Sequence, residues 1–260
     1  MKSSVIITAD FKEKQIERAI KSCLNQSYKN IEIIVVFSYL KNILYLKNKY
    51  KSLIFLQTKK IKNPIHDQIL KIKSGYKKSK GSNIYLLDGD DYFMKKKIKN
   101  INIELNNKGI IILNDHIIKD CNNFKYNKNK WYKKKFFYKI FFNSWPDKIC
   151  TSSIAVPRGL LNIFFKKINI YKYNYIAIDV LLVLFFYDLK LKLFNEILTV
   201  KDNTHSGIDK KISNIYSKKY WLRRKEQHDF FRENNKKKFT LEELICRIIS
   251  FLIIKKIPTV

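Results

Sequence analysis

Three carboxylates crowd the end of one apolar run. Ile84 to Leu87 reads as a buried strand, and Asp88, Asp90 and Asp91 follow it with Gly89 between them. Acids this close repel one another and lose hydration. A divalent cation carrying a phosphate offsets both costs, because hard cations take carboxylate oxygens. The placement suits a ligand too, since open α/β sheets bind theirs in the crevice beyond the carboxyl ends of the strands. The same residues also make an ordinary Asp-Gly turn, so their surroundings have to decide. A further acid, Asp179, stands alone in the apolar stretch Tyr175 to Tyr187. Burial there favours the neutral carboxyl and moves its pKa towards neutrality, which suits a general base. The alternative is a carboxylate held at a helix N-terminus by the dipole.

The elements that must position these acids alternate. Ser4–Thr8 predicts a short buried strand. Asp10 and Glu13 have capping-box spacing, and Ile16, Ala19, Ile20, Cys23 and Leu24 fall on one helical face. Ile31–Phe37 predicts a second strand, giving a βαβ unit with parallel strands. Leu53–Gln57 predicts a third. Pro64 opens a helix with Ile65, Ile69, Ile72 and Tyr76 on one side, stopped by Lys80-Gly81. The first ninety residues thus argue for a doubly wound α/β sheet. Later strands are expected at Ile110–Leu113, Thr151–Pro157 and Leu191–Val200. Helices are expected at Gly159–Lys166, Tyr175–Tyr187, Ile212–Arg232 and Leu241–Ile257, and Asn122–Phe142 reads as a surface excursion.

The chain has 260 residues, enough for one domain with a substantial core, and 46% hydrophobic content marks it as globular. Its formal net charge is +31, from 53 Lys and Arg against 22 Asp and Glu. Such a surface attracts anions. The excess is mostly Lys spread along the whole chain with Asn and Ile, as compositional drift from an AT-rich genome produces, and no nucleic-acid-binding motif accompanies it. The reading is therefore no specific nucleic acid. Cys23, Cys121, Cys150 and Cys246 lie far apart, so reduced thiols are expected and no metal or redox motif is. Met1 to Asp10 holds too short an apolar run for a signal peptide, and no stretch reaches bilayer length. This places the protein in the cytoplasm. The amphipathic helix from Leu241, with Leu241, Leu244, Ile245, Ile248, Ile249 and Leu252 on one face, either packs on the core, forms a dimer, or lies on the inner face of the cytoplasmic membrane with help from Lys255 and Lys256. Packing is the commoner fate of such helices.

Four segments, in order, carry a resemblance: Ser4–Thr8, Ile16–Val36, Gly81–Asp91 with its D-x-D-D, and Thr151-Ser-Ser with the later Ile178-Asp179. Together they resemble the nucleotide-diphosphosugar-dependent glycosyltransferases of family 2. The resemblance implies a GT-A type doubly wound mixed sheet flanked by helices, with a C-terminal helical extension. It sets a domain over 1–210, with a nucleotide-sugar half at 1–95 and an acceptor half at 96–210, and the extension at 211–260. It implies metal-dependent, inverting transfer of a sugar from a nucleotide-diphosphosugar donor to a saccharide or lipid-linked acceptor, in cell-surface polysaccharide or lipopolysaccharide synthesis.

The resemblance also distributes roles. Asp90, the second acid of D-x-D, would hold a divalent metal, Mn²⁺ or Mg²⁺. His205, after the last strand, is either a late metal or phosphate ligand or a surface histidine. Asp88 would contact the ribose or a metal-bound water. Asp91 would orient Asp90 or approach the donor sugar, or else serve as a cap. Asp179 matches the catalytic base. Thr8, Asp10 and Ser38 would line the nucleotide. Arg223 and Arg224 either pair with pyrophosphate or lie on a solvated helix face. One departure bears on the base: the family's Asp-Asp-Gly-Ser after the second strand is here Phe37-Ser38-Tyr39-Leu40. Asp10 is the candidate replacement. Otherwise base selectivity is relaxed, or the chain is a catalytically degenerate binding protein. A basic nucleic-acid-binding protein is the more distant alternative.

Overall fold

The structure is a computed structural model describing residues 1–9, 13–39, 43–120, 123–127, 149–187, 191–203, 217–235 and 239–256. A first β-α-β series runs β1 (Ser3–Ala9), α1 (Glu13–Leu24), β2 (Ile31–Phe37), α2 (Ile43–Lys49), β3 (Ile54–Gln57), α3 (Pro64–Lys78) and β4 (Asn83–Asp88). Then come β5 (Tyr92–Phe93), α4 (Lys97–Lys108), β6 (Ile111–Asp120) and β7 (Asn123–Asn127). A 3₁₀ turn at Thr151–Ser153 leads into β8 (Ile154–Pro157) and α5 (Arg158–Lys167). A second 3₁₀ turn at Ile170–Lys172 precedes α6 (Ile178–Phe185), β9 (Leu191–Asp202), α7 (Lys218–Asn235) and α8 (Leu241–Lys256).

One mixed sheet runs in the order β3-β2-β1-β4-β8-β6-β9-β5, with β7 on β6. β1 is parallel to both β2 and β4, so the chain winds outward through β3 and returns to pair β4 on the other side of β1. The gap between the carboxyl ends of β1 and β4 is therefore the topological switch point. Alternation along the strands splits the core in two. Ile6, Ile34, Val36, Ile84 and Leu86 face α3 and the later helices, while Val5, Ile7, Val35, Tyr85 and Leu87 face α1 and α4. All ten are buried, each contributing about 1.5–3 kcal/mol as a large apolar side chain.

The sequence expectations hold for the parallel half, with element ends moved by a few residues. Leu24 departs from its helical face and is 40% exposed. Asn63 caps α3, its Oδ1 accepting from the Ile65 and His66 amides, with Pro64 in the first turn. The far end of α3 differs from expectation: Ser79, in extended backbone, closes the helix, and its amide reaches Gly75 and Tyr76 carbonyls. Gly81 serves another need. A Cβ there would lie 2.5 Å from Ser4 Oγ and 2.6 Å from the Ser4 amide nitrogen, so only glycine lets the start of β4 slide against β1. α2, β5 and α4 were not anticipated. The apolar spacing Ile98, Ile101, Leu105 of α4 is helical, but it sits in a Lys- and Asn-rich stretch with no side-chain N-cap.

Of the two C-terminal helices, α7 shares the main core. The Phe230 ring meets Tyr173 at 5.2 Å and Phe231 meets Tyr187 at 5.0 Å. α8 corrects the packing expectation. It meets α7 through Glu243, Cys246 and Ser250, all buried, with Ser250 Oγ and Cys246 Sγ directed to the Trp221 carbonyl. The apolar residues expected to pack instead stand 43–51% exposed at Leu241, Leu244, Ile245, Ile248 and Leu252. Arg224 is likewise tied to Glu242 and Gln227, joining the two helices, not facing solvent.

Candidate active site

The acids sit at the switch point. Thr8 at the end of β1 is the register partner of Asp88 at the end of β4. Thr8 Oγ1 donates to Asp88 Oδ1 at 3.0 Å, and Gln68 Nε2 of α3 donates to the same oxygen at 2.7 Å. The Asp88 amide donates to Ser152 Oγ at 2.9 Å. The turn beyond Asp88 is set by the Gly89 amide on the Thr8 carbonyl, 2.9 Å, and the Asp91 amide on the Asp88 carbonyl, 3.0 Å. A Cβ on Gly89 would lie 2.9 Å from the Thr8 carbonyl oxygen, so the tight return needs glycine. Arg18 of α1 donates to the Asp90 carbonyl, lies 4.7 Å over the Tyr92 ring, and pairs with Asp202 at 2.7 Å.

Charge in this corner is frustrated. Burial, then the neighbouring Asp90 carboxylate, pushes the Asp88 carboxyl up to about 6, against the pull of its hydrogen bonds from Gln68 and Thr8 and of Lys201. Burial, then Asp90 and Asp88, holds Asp91 well above the usual carboxylate range. Asp91 is 2% exposed and its Oδ1 accepts from the Asp202 amide at 2.9 Å, fastening β9 to the acidic turn. Behind it Lys97 is fully buried, donating to the Ser152 carbonyl and to Thr199 Oγ1, with Nζ 3.9 Å from the Phe93 ring centroid. Burial brings its pKa down to about 7.

Ser38 follows β2, where the resemblance expects an acid. The hydroxyl donates to the carboxylate of Asp67, at 3.1 and 3.2 Å. Asp67, on α3 and 1% exposed, also accepts from the Ile61 amide and pairs with Lys60 and with the equally buried Lys71. A carboxylate therefore does stand beside the end of β2, supplied by a different element. Consecutive residues of α3 thus bridge both sides of the switch point: Asp67 to β2 and Gln68 to β4.

Asp179 is 9% exposed, in the first turn of α6, with its Oδ1 accepting from the Val180 amide at 2.8 Å. The segment feeding it is clamped. His66 Nε2 lies 2.9 Å from the Tyr173 carbonyl, Asn63 Nδ2 donates to the Asn174 carbonyl, and Glu226 of α7 accepts from the Asn174 and Tyr175 amides. The N-terminal end of α3, from its cap Asn63 to Gln68, therefore carries both the bond to Asp88 and the anchors of the stretch leading to Asp179. Asp10 and His205 lie outside the described residues. Sequence reasoning missed Arg18, Gln68, Asp67, Ser152 and Lys97. Only the register of α3 against β2 and β4 reveals the pair on that helix, and no local pattern marks the others.

Among the described residues no three His, Cys, Asp or Glu side chains form a metal cage. The acids nonetheless suit a cation that brings phosphate oxygens as its other ligands, since Mg²⁺-type sites commonly use one or two carboxylates plus substrate phosphates. Asp88, raised by burial and then by the Asp90 carboxylate, carries a charge that such a cation would offset.

A parallel sheet wound from both sides of β1, continued through the antiparallel β8 to the parallel pair β6 and β9, with acids at the switch point, defines a GT-A type α/β transferase fold. The chain belongs to glycosyl transferase family 2, whose model matches residues 4–162. Among solved structures it is similar to S. aureus TarS, at TM-score 0.64 and 14% identity over 97% of this chain and 43% of that one. TarS 1–349 in complex with UDP-GlcNAc matches at TM-score 0.64 and 14% identity, over 98% of this chain and 72% of that one. The complex with UDP matches at 0.64 and 15%, over 98% and 71%. The chain thus spans less than half of the longer TarS chain. No curated protein matches its sequence.

Proposed function

We propose that the chain transfers a sugar from a nucleotide-diphosphosugar, a UDP-sugar in the first instance, to a hydroxyl of a saccharide or lipid-linked acceptor, with inversion, in cell-surface polysaccharide or lipopolysaccharide synthesis. The observation that carries this reading is the Thr8–Asp88 pair at the switch point with Asp90 one turn beyond. The structural likeness to TarS bound to UDP and to UDP-GlcNAc supports the choice of donor.

Asp90, with Asp88 beside it and His205 as a further candidate ligand, would hold a divalent cation, Mn²⁺ or Mg²⁺, which would supply charge stabilisation for the departing diphosphate. The chain's own residues do the rest. Gln68 and Thr8 hold Asp88 still, and Arg18 and Asp91 set the turn that presents Asp90. Ser38, fixed by Asp67, borders the nucleotide together with Thr8 and Asp10. Asp179 takes the proton from the acceptor hydroxyl, and one base acting in one step inverts the anomeric centre.

The test is turnover of UDP-sugars by purified protein with Mn²⁺. Asp90→Ala and Asp179→Asn are each expected to lower kcat at least a hundredfold, within the range that general-base and charge-stabilising groups supply. Wild-type rates in both variants would overturn the assignment. A degenerate chain would bind the donor calorimetrically without turnover.

A further inference from the structure

α8 is an amphipathic helix mounted the wrong way round for water. Its polar and small residues Glu243, Cys246 and Ser250 are buried against α7. Its large apolar residues point away: Leu241, Leu244, Ile245, Ile248, Phe251 and Leu252 are 43–54% exposed, spaced three and four apart along one stripe. Such a stripe runs about 16 Å at 1.5 Å per residue. Contiguous apolar surface of this kind is rare on a monomer in water and marks an interaction site. No described helix is long and apolar enough to cross a membrane.

Charge names the occupant. Residues 218–256 carry twelve Lys and Arg against five Asp and Glu, within a chain of net charge +31. Lys225 and Arg247 border the stripe, lining with Ile248, Ser250, Phe251 and Leu252 a shallow cavity of about 460 Å³. Arg247 is paired with Asp229 and Glu243, and Lys225 stands 3.9 Å from Asp229, so the excess charge offered to a surface is that of the remaining Lys and Arg around these helices. Lys255 and Lys256 follow at the helix end. A second copy of the chain would bring equal positive charge against this face, which opposes pairing. An anionic surface is complementary. Apolar side chains ringed by Lys and Arg are the composition of helices lying in the headgroup layer, where each basic residue near an anionic leaflet adds attraction.

We propose that the α7–α8 face docks on a bilayer containing anionic phospholipid, with the apolar stripe of α8 inserted at the level of the headgroups. This goes beyond the donor chemistry and does not rest on it.

The test is co-sedimentation of the full chain with vesicles of phosphatidylcholine, alone or with about one-third phosphatidylglycerol. Pelleting is expected with the anionic vesicles, at least tenfold above neutral ones, and is reduced by salt. Ile248→Glu with Leu252→Glu is expected to reduce it at least tenfold while leaving the melting temperature unchanged, since both positions are exposed. Should that variant fail to fold, Lys255→Glu with Lys256→Glu must show the same loss. Three results would each overturn the proposal: no pelleting with anionic vesicles, equal pelleting of wild type and variants, or a dimer by light scattering that the apolar variant dissolves.

Discussion

At the residue scale the site is a negotiation between close-set charges. Thr8, Gln68 and the Ser152 hydroxyl serve Asp88, while Asp91 is spent on the backbone of β9. The turn joining them tolerates little change. Gly89→Ala would set a methyl 2.9 Å from the Thr8 carbonyl and 3.3 Å from Ile16 Cγ1. Backbone cannot swing aside as a side chain can, so a loss of about 1–3 kcal/mol is expected, as for other overpacked sites. Denaturant titration checks it, with activity falling in parallel. Asp67→Asn tests the other half. Asp67 and Lys71 are each 1% exposed and 2.8 Å apart. Breaking a buried ion pair by removing one partner typically costs about 3–5 kcal/mol. The variant should melt well below wild type, and Asp67→Asn with Lys71→Met should recover part of that loss.

At the element scale, α3 is the part that makes two strand ends into one site, and α7 braces the stretch before Asp179 through Glu226. The α7–α8 pairing has its own chemistry. His228 is 1% exposed, and burial followed by the Arg224 and Arg247 cations brings its pKa down to about 3. Its 3.9 Å approach to Glu242 is therefore the contact of a neutral ring at pH 7. In the unfolded chain a histidine titrates near about 6.5. Between those values the unfolded state takes up a proton that the folded state refuses, so stability is full above about 6.5 and falls as pH drops towards 3. His116, brought down to about 4 by burial, adds to the same trend. These histidines should lower the melting temperature from pH 7.5 to 5, against the opposite contribution of Asp88 and Asp91, whose raised carboxyls take up protons first in the folded state. His228→Gln should remove its share of the destabilising part and leave that due to His116. An unaltered pH slope in the variant would show that His228 plays no part.

At the scale of the whole molecule, a net charge of +31 on 260 residues sets the folded state against itself. Surface charges beyond a Debye length, about 10 Å at 0.1 M salt, stop repelling as ionic strength rises. Stability should therefore increase with NaCl between about 0.02 and 0.3 M, each 1 kcal/mol showing as about 2–4 °C at this size. A melting temperature flat or falling across that range would mean that paired charges, not repulsion, dominate the surface. The same excess positive charge bears on α8, since a surface that repels its own copies attracts anionic ones.

The local sequence was enough for the parallel half. Apolar runs closed by turn residues and a 3.6-residue stripe in α1 and α3 are properties of neighbouring residues, so Ile16, Ala19, Ile69 and Ile72 could be assigned to a core before any fold was known. The acids at the end of β4 were legible for the same reason, since their crowding is a feature of four consecutive positions. What the local pattern could not contain was which residues from other elements answer those acids. Gln68, Arg18, Ser152 and Lys97 come from segments as far as 72 residues away, and none carries a mark of its role. The acid missing after β2 was a true reading of the chain, yet Asp67 brings a carboxylate there across 29 positions. The stripe on α8 was legible as amphipathic, but its direction stayed open between core, dimer and membrane, because periodicity finds a face and only packing against α7 decides which way that face looks.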